Sequence, residues 1–325
     1  MKIVRENKYF IFDRPKVYNL KYYVKYALLL LMTPVYRIAL LIWRKPFKEK
    51  KYDLVICAIF KDEAPFLKEW IVYHQLLGFK HFYLYNNNST DNYSEILQPF
   101  IDEGAVTLID WPQIPGQLSS YTHWYENFRD ECNWVSFLDC DEFFCPREAP
   151  SMQEWIKQYK YYPVLLFYWQ FFGTSGKLEH DQKKLVIEQY HNCYAKHINM
   201  GKVLYNTNYD ISSLNIMMHH YLEIRLHGIN IPPVNCFRKF VKFDIHRVSG
   251  KGKFNIQINH YWSRAYYSYM DKQRKGEAAF TTSYKTFEKF VRNERHNIST
   301  DSQINRFVVE TKLKMRNEYP SGLTL

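Results

Sequence analysis

The sequence of 325 residues predicts an α/β fold, a mostly parallel sheet flanked by helices, on three observations. From Tyr52 onward, short β-branched or aromatic runs alternate with longer amphipathic stretches at the spacing of successive βαβ units. Several of these runs end in turn-rich or acidic segments, and a parallel sheet gathers its ligand-facing loops at such strand ends. With 46% apolar and 24% charged residues, the chain has enough apolar content to bury a large core. Whole-chain disorder, collagen and coiled coil are thereby excluded.

The first region, residues 1–51, carries almost all of the excess charge. The whole chain is +11, yet thirteen bases against three acids give +10 within 1–51, and 31 against 30 give +1 for the rest. A nearly neutral body argues against nucleic acid, which needs a distributed basic groove. Residues 26–43 read YALLLLMTPVYRIALLIW, with bases on both flanks and Pro34 and Arg37 inside. A spanning helix needs roughly 20 predominantly apolar residues, and a single span usually leaves its bases at one end. We read a helix lying in an anionic cytoplasmic leaflet, peripheral or monotopic, with its bases on the headgroups. A single true span and a structural helix packed on the body are the alternatives. A cleaved signal peptide fits poorly, since the apolar run begins only at Tyr26 and no small-x-small site follows.

The second region, residues 52–265, supplies the sheet. A buried strand at 53–59 leads to a helix over 65–77 with proline in its first turn. A strand at 81–85 ends in the turn run NNNSTDN, followed by a short helix at 94–98 and a strand at 106–110. A helix over 119–129 precedes a strand at 134–139 that stops among acids. The aromatic run VLLFYWQFF, 164–172, is a strand closed by the turn GTSG, and short strands are expected at 186–191, 202–205, 240–246 and 255–260. The third region, 266–325, is helical in period, with Phe287, Phe290 and Val291, then Ile304, Phe307, Val308 and Met315, on repeating faces that pack on the body. Six cysteines contain no C-x-x-C, which points to reduced buried thiols instead of a zinc site or redox pair.

The sharpest feature is LDCDEFF. Asp139 and Asp141 are two apart after an apolar strand, so on extended backbone both carboxylates face one side at the strand's end. Two hard oxygen donors together suit Mg²⁺ or Mn²⁺, which bridges to diphosphate oxygens and offsets the cost of burying paired acids. A solvated turn is the competing reading.

CAIFKDEAPFLKEWIVYHQLLGFKHFYLYNNNSTDN, WVSFLDCDEFF, FFGTSG and NHYWSRAYYSYMDKQRKG occur in that order. As an ordered set they resemble the GT-A (Rossmann-like) glycosyltransferases of the family 92 and family 2-like group, across about residues 53–276. That group typically has K-N-E where this chain has Lys61, Asp62 and Glu63, and an acid where it has Asn86. Asn87, Ser89, Asp91 and the D-x-D-E-F element match. The resemblance implies inverting transfer of a sugar from a nucleotide donor, most often UDP-linked, to a glycan or glycolipid hydroxyl. It further implies that Glu63, Asn87 and Asp91 serve the nucleoside, Asp139 the ribose or metal, and Asp141 the metal. As competing roles, Glu63 is a helix-start acid and Asp91 an Asx-turn or cap.

His260, in the late His-Tyr element, is a suitable third metal ligand, with a structural histidine as its alternative. Lys272 and Lys275, in the run after it, are read as covering the diphosphate, against a solvated helix face. The aromatic strand is core or an acceptor platform; His219 and His220, beside Met217 and Met218, are a core pair or a pair that supports the site from behind its ligands. For the base that takes the acceptor's proton, Glu142, Glu179 and Asp181 are the candidates. The expected activity is a hexosyltransferase in cell-envelope polysaccharide or lipid-linked glycan synthesis, at the cytoplasmic face of a membrane. Two other classes compete, a membrane-associated phosphotransferase on the same D-x-D metal site and a non-catalytic glycan-binding protein.

Overall fold

A computed structural model describes residues 10–11, 20–215, 218–242, 254–276 and 286–319. Strand β1 (Phe10–Ile11) precedes α1 (Leu20–Ile42), whose 23 residues accommodate Pro34. The sheet then builds as expected: β2 (Tyr52–Phe60), α2 (Ala64–Leu76), β3 (His81–Asn86), α3 (Tyr93–Asp102), β4 (Val106–Asp110), α4 (Gln117–Asn127) and β5 (Cys132–Phe137). Here α3 runs on through Pro99 instead of ending before it. Next come β6 (Glu142–Pro146), α5 (Met152–Ile156), β7 (Val164–Phe171), α6 (Val186–Gln189), β8 (Asn192–Cys193), β9 (His197–Ile198) and β10 (Gly201–Asn206). The chain continues through β11 (Asp210–Ile211), β12 (Ile224–Leu226), β13 (Ile229–Ile231), β14 (Val234–Asn235) and β15 (Ile256–His260). It closes with α7 (Tyr266–Lys275), α8 (Phe287–Glu294), β16 (Ser299–Thr300) and α9 (Val308–Met315).

The nine-stranded sheet runs β4-β3-β2-β5-β10-β7-β15-β6, with β14 alongside β7. From β4 to β5 every pairing is parallel; β10 and β6 run antiparallel to their neighbours, while β15 and β14 pair parallel with β7. The fold is therefore α/β with a mostly parallel sheet, and the apolar runs in β2, β3, β5 and β7 are buried as such sheets require. One continuous core joins this sheet to α2 and to Leu29, Tyr36, Ala39 and Leu40 of α1. All six cysteines are buried and unbridged.

Three sequence expectations are corrected. The strand expected at 186–191 is the short helix α6, because the buried Glu69 carboxylate accepts the Val186 and Ile187 amide hydrogens at 2.7 and 3.1 Å and fixes a helical start. The strand at 134–139 ends at Phe137, and β6 was not expected at all. At 240–246, Phe240 makes a single bridge to Val234, and 243–246 lie outside the described residues, as does Met217.

Candidate active site

At the carboxyl ends of β2 and β3 two loops are laced together. Asp62 adopts φ +51°, its Oδ1 accepts from the Thr90 and Asp91 amides at 2.6 and 3.3 Å, and its own amide donates to Ser89 Oγ at 2.9 Å. Asp91 Oδ2 accepts the Ala64 amide at 2.8 Å, satisfying an open donor in the first turn of α2. Its other oxygen, Oδ1, is buried without a hydrogen-bond partner among the described residues. Asn87 is buried and donates to the carbonyls of Trp111 and Gln113 at 2.7 and 2.9 Å. Its amide hydrogens are thus used in shaping the loop.

The acids converge beyond the end of β5. Asp139 and Asp141 lie in the link between β5 and β6, with Glu142 opening β6 at full burial. Lys202 of β10, also fully buried, donates to Asp139 Oδ2 at 2.8 Å and stands 3.5 Å from Glu142 Oε2. Gly201 permits this, since a Cβ there would come within 1.6 Å of the Phe167 carbonyl oxygen on β7. His260 ends β15, opposite Glu142 and Phe171 in register. Its Nε2 lies 3.4 Å from Asp141 Oδ1 and its Nδ1 3.8 Å from Glu142 Oε1. Both Nδ1 and Oε1 are buried without hydrogen-bond partners among the described residues.

Cations close the cluster from above. Lys272 of α7 bonds Asp141 Oδ2 and sits 3.8 Å from Glu63 Oε1. Arg264 donates to Glu63 Oε2 at 2.7 Å and to the Cys140 carbonyl at 3.0 Å, its guanidinium 3.6 Å over the Phe66 ring. Lys275 donates to the Asp62 carbonyl at 2.9 Å. Burial alone would raise the Asp141 carboxyl, but Lys272, His260 and Arg264 outweigh it and hold it well below the usual carboxylate range. Burial, reinforced by Asp139 and Asp141 against Lys202, pushes Glu142 well above its ordinary value. Lys202 itself is raised, its burial outweighed by Asp139 and Glu142, so the ammonium persists and Glu142 is the acid hardest to ionise.

The predicted residues Glu63, Asp139, Asp141, His260 and Lys272 are thus brought together. Glu142 joins them, wholly buried between His260 and Lys202. Glu179 and Asp181 are exposed on the loop after GTSG. That loop borders α7, its Lys177 and Leu178 carbonyls accepting the Tyr266 and Tyr267 amides, and His180 rests 5.0 Å from Phe66. The aromatic strand divides by its alternation: Tyr168 and Phe172 are core, while Trp169 and Phe171 stand 5.0 and 4.9 Å from His260. His219 is buried with its ring 3.8 Å from that of His220, consistent with a core pair. Lys202 and Arg264 were missed; a lone lysine in the apolar run GKVLYN was the available signal, because a fully buried lysine requires an anionic partner.

Asp141 Oδ1 and His260 Nε2 are spaced so that two bonds of about 2.1 Å to one divalent cation span them. Among the described residues no third His, Cys, Asp or Glu closes that pair into a full metal cage. The outward oxygens of Asp141 and Asp139 carry lysines.

A model of glycosyltransferase family 92 matches residues 52–308. A glycosyltransferase family 92 protein of Oryza sativa subsp. japonica is 26% identical over 223 residues, 67% of this chain and 38% of that protein. One from Arabidopsis thaliana is 39% identical over 102 residues, 30% of this chain and 18% of that protein. The matches thus cover about two fifths or less of these curated relatives. The crystal structure of S. aureus TarS 1-349 aligns with a TM-score of 0.32 at 11% identity, covering 48% of this chain and 47% of that one, too slight a likeness to carry weight.

Proposed function

The chain belongs to glycosyltransferase family 92, and from that premise we propose that it is an inverting, metal-dependent glycosyltransferase moving a sugar from a nucleotide, most often UDP-linked, donor to a hydroxyl of a glycan or glycolipid. The observation that carries this reading is the convergence of Asp141, His260, Lys272, Arg264 and Glu63 at the carboxyl ends of β2, β5 and β15. Asp141 and His260, with Asp139 beside them, would hold Mn²⁺ or Mg²⁺. That ion supplies positive charge for the departing diphosphate. Lys272 and Lys275 sit where phosphate oxygens are neutralised, and Arg264 holds Glu63 in a fixed direction by charge-assisted hydrogen bonding. The free buried oxygen of Asp91 suits an N–H donor such as that of a uracil ring. Trp169 and Phe171 wall the side of His260 against which a sugar ring would pack. The acceptor hydroxyl must lose a proton as its oxygen attacks the anomeric carbon from the far face, and Glu179 or Asp181 on the exposed rim accepts it.

The test is a panel of nucleotide sugars scored by free nucleoside diphosphate, with Mn²⁺ supplied. Asp141→Ala should lower turnover by about 10²-fold or more while circular dichroism stays that of the parent. Unchanged turnover would sink the assignment. A radiolabelled donor should leave sugar on the acceptor; phosphate there would make the protein a phosphotransferase. A second reading is favoured by the lysine already seated on Asp141, namely that Lys272, with Lys275, neutralises the diphosphate without a metal. Full activity surviving EDTA would choose it.

A further inference from the structure

Arg37 is anomalous in an apolar helix, since a guanidinium within a membrane segment is costly unless it has a partner or a polar outlet. In the fold it has an outlet. Arg37, Arg44, Arg238, Gln158 and Tyr161 line an open cavity of about 340 Å³ between α1 and the segments that flank the start of β7. Leu40 and Leu41 complete it from the helix side.

Three guanidinium groups therefore share one small space. Arg44 stacks over Tyr161 with its guanidinium carbon 4.8 Å from the ring centroid, and Arg238 is held by Gln158 Oε1 at 3.2 Å. Among the described residues no carboxylate lies within ion-pair distance of Arg37, Arg44 or Arg238. Like charges gathered without counter-charge repel, and the fork geometry of arginine matches phosphate oxygens. Beside the cavity, the outer face of α1 exposes Leu31, Ile38, Leu41 and Ile42 by 72%, 56%, 71% and 64%. An exposed apolar face running into an arginine-lined pocket matches a lipid in both of its parts.

We infer that this cavity binds the phosphate of an anionic phospholipid headgroup while the outer face of α1 lies among the acyl chains. The inference rests on the membrane-seated reading of α1 and is independent of the chemistry at Asp141. It differs from diffuse attraction in assigning the preference to three arginines that converge, not to the total charge of residues 1–51.

The full chain should be floated with vesicles of phosphatidylcholine alone and of phosphatidylcholine mixed with phosphatidylglycerol. The parent should prefer the mixed vesicles, and the triple variant Arg37→Gln, Arg44→Gln, Arg238→Gln should lose at least about tenfold of that preference. A control triple, Lys21→Gln, Lys45→Gln, Lys48→Gln, removes the same amount of charge, all of it from residues 1–51, and should lose far less. Equal losses in the two triples would overturn the pocket and leave diffuse attraction. Should the pocket triple fail to fold, the corresponding Arg→Lys triple keeps the charge without the guanidinium fork. It should still lose more preference than the control, and full retention would overturn the proposal. Inorganic phosphate, compared with chloride at equal ionic strength, supplies the other arm. Thermal stabilisation by phosphate that needs the three arginines, without preference for anionic vesicles, would make this a soluble-phosphate site and overturn the lipid assignment. Failure of the parent to bind any vesicle would reject the membrane seat of α1 itself, and donor turnover in detergent should be equal in parent and pocket triple.

Discussion

Lys202 shows how one side chain stabilises a site it does not complete. It is wholly buried, and the desolvation of its ammonium is offset chiefly by Asp139 at 2.8 Å and Glu142 at 3.5 Å. Removing the lysine leaves Asp139, partly exposed, and the buried Glu142 without their cation, a loss of up to about 3–5 kcal/mol. Lys202→Met should accordingly lower stability by roughly that amount in urea unfolding. Adding Glu142→Gln should restore part of it, since the hardest acid to ionise is then gone. A loss below about 1 kcal/mol would mean that the ion pairs contribute little. This residue also marks the limit of reading a site from sequence. Asp139 and Asp141 are legible because they end an apolar strand together. Lys202 and Arg264 act on acids 60 or more residues away, and the pairing of β10 with β5 and the approach to α7 bring them there. Glu142 reads as a base by adjacency, and adjacency does not say which face a residue takes; β6 turns it inward.

Among the elements, α6 is the one whose identity the local pattern gets wrong and the tertiary structure sets. VIEQ is β-branched at its start and reads as extended, yet Glu69 of α2 captures its first two free amides. Burial raises Glu69 to about 7 from an ordinary 4.5, against those amides and Arg264, which favour the anion. A carboxyl whose folded value exceeds its unfolded one binds more protons folded than unfolded between the two. Stability therefore falls as pH rises from 4.5 to about 7 and is level above. The slope integrates to about 3 kcal/mol at most, by 1.36 kcal/mol per unit. Glu69→Gln should flatten the melting temperature over that window; a variant that keeps the parent slope would assign the dependence to another group. Elements fixed by their own periodicity, such as β2, α2, β3 and β4, were legible to within a few residues. Those fixed by a distant partner, α6 and β6, were not.

At the scale of the molecule, the two ends of the sheet have different neighbours. The linker after α1 contacts Trp134 and Tyr209 and enters β2 at its first residue, while the arginine cavity borders the start of β7. His260 lies level with Phe171, the last residue of β7. A strand of this length rises roughly 23 Å from first to last residue, so the acid cluster stands about that far from the cavity. Deleting residues 1–51 is consequently a poor test of anchoring, because it would bare the core surface now covered by Leu29, Tyr36, Ala39 and Leu40. Tryptophan quenching by brominated phospholipid tests the orientation in the intact chain. Trp43, 36% exposed, lies at the end of α1, whereas Trp262 follows β15 beside the acid cluster. If the cavity end faces the bilayer, Trp43→Phe should remove most of the quenching and Trp262→Phe should leave it nearly unchanged. The reverse pattern would put the acid cluster against the headgroups.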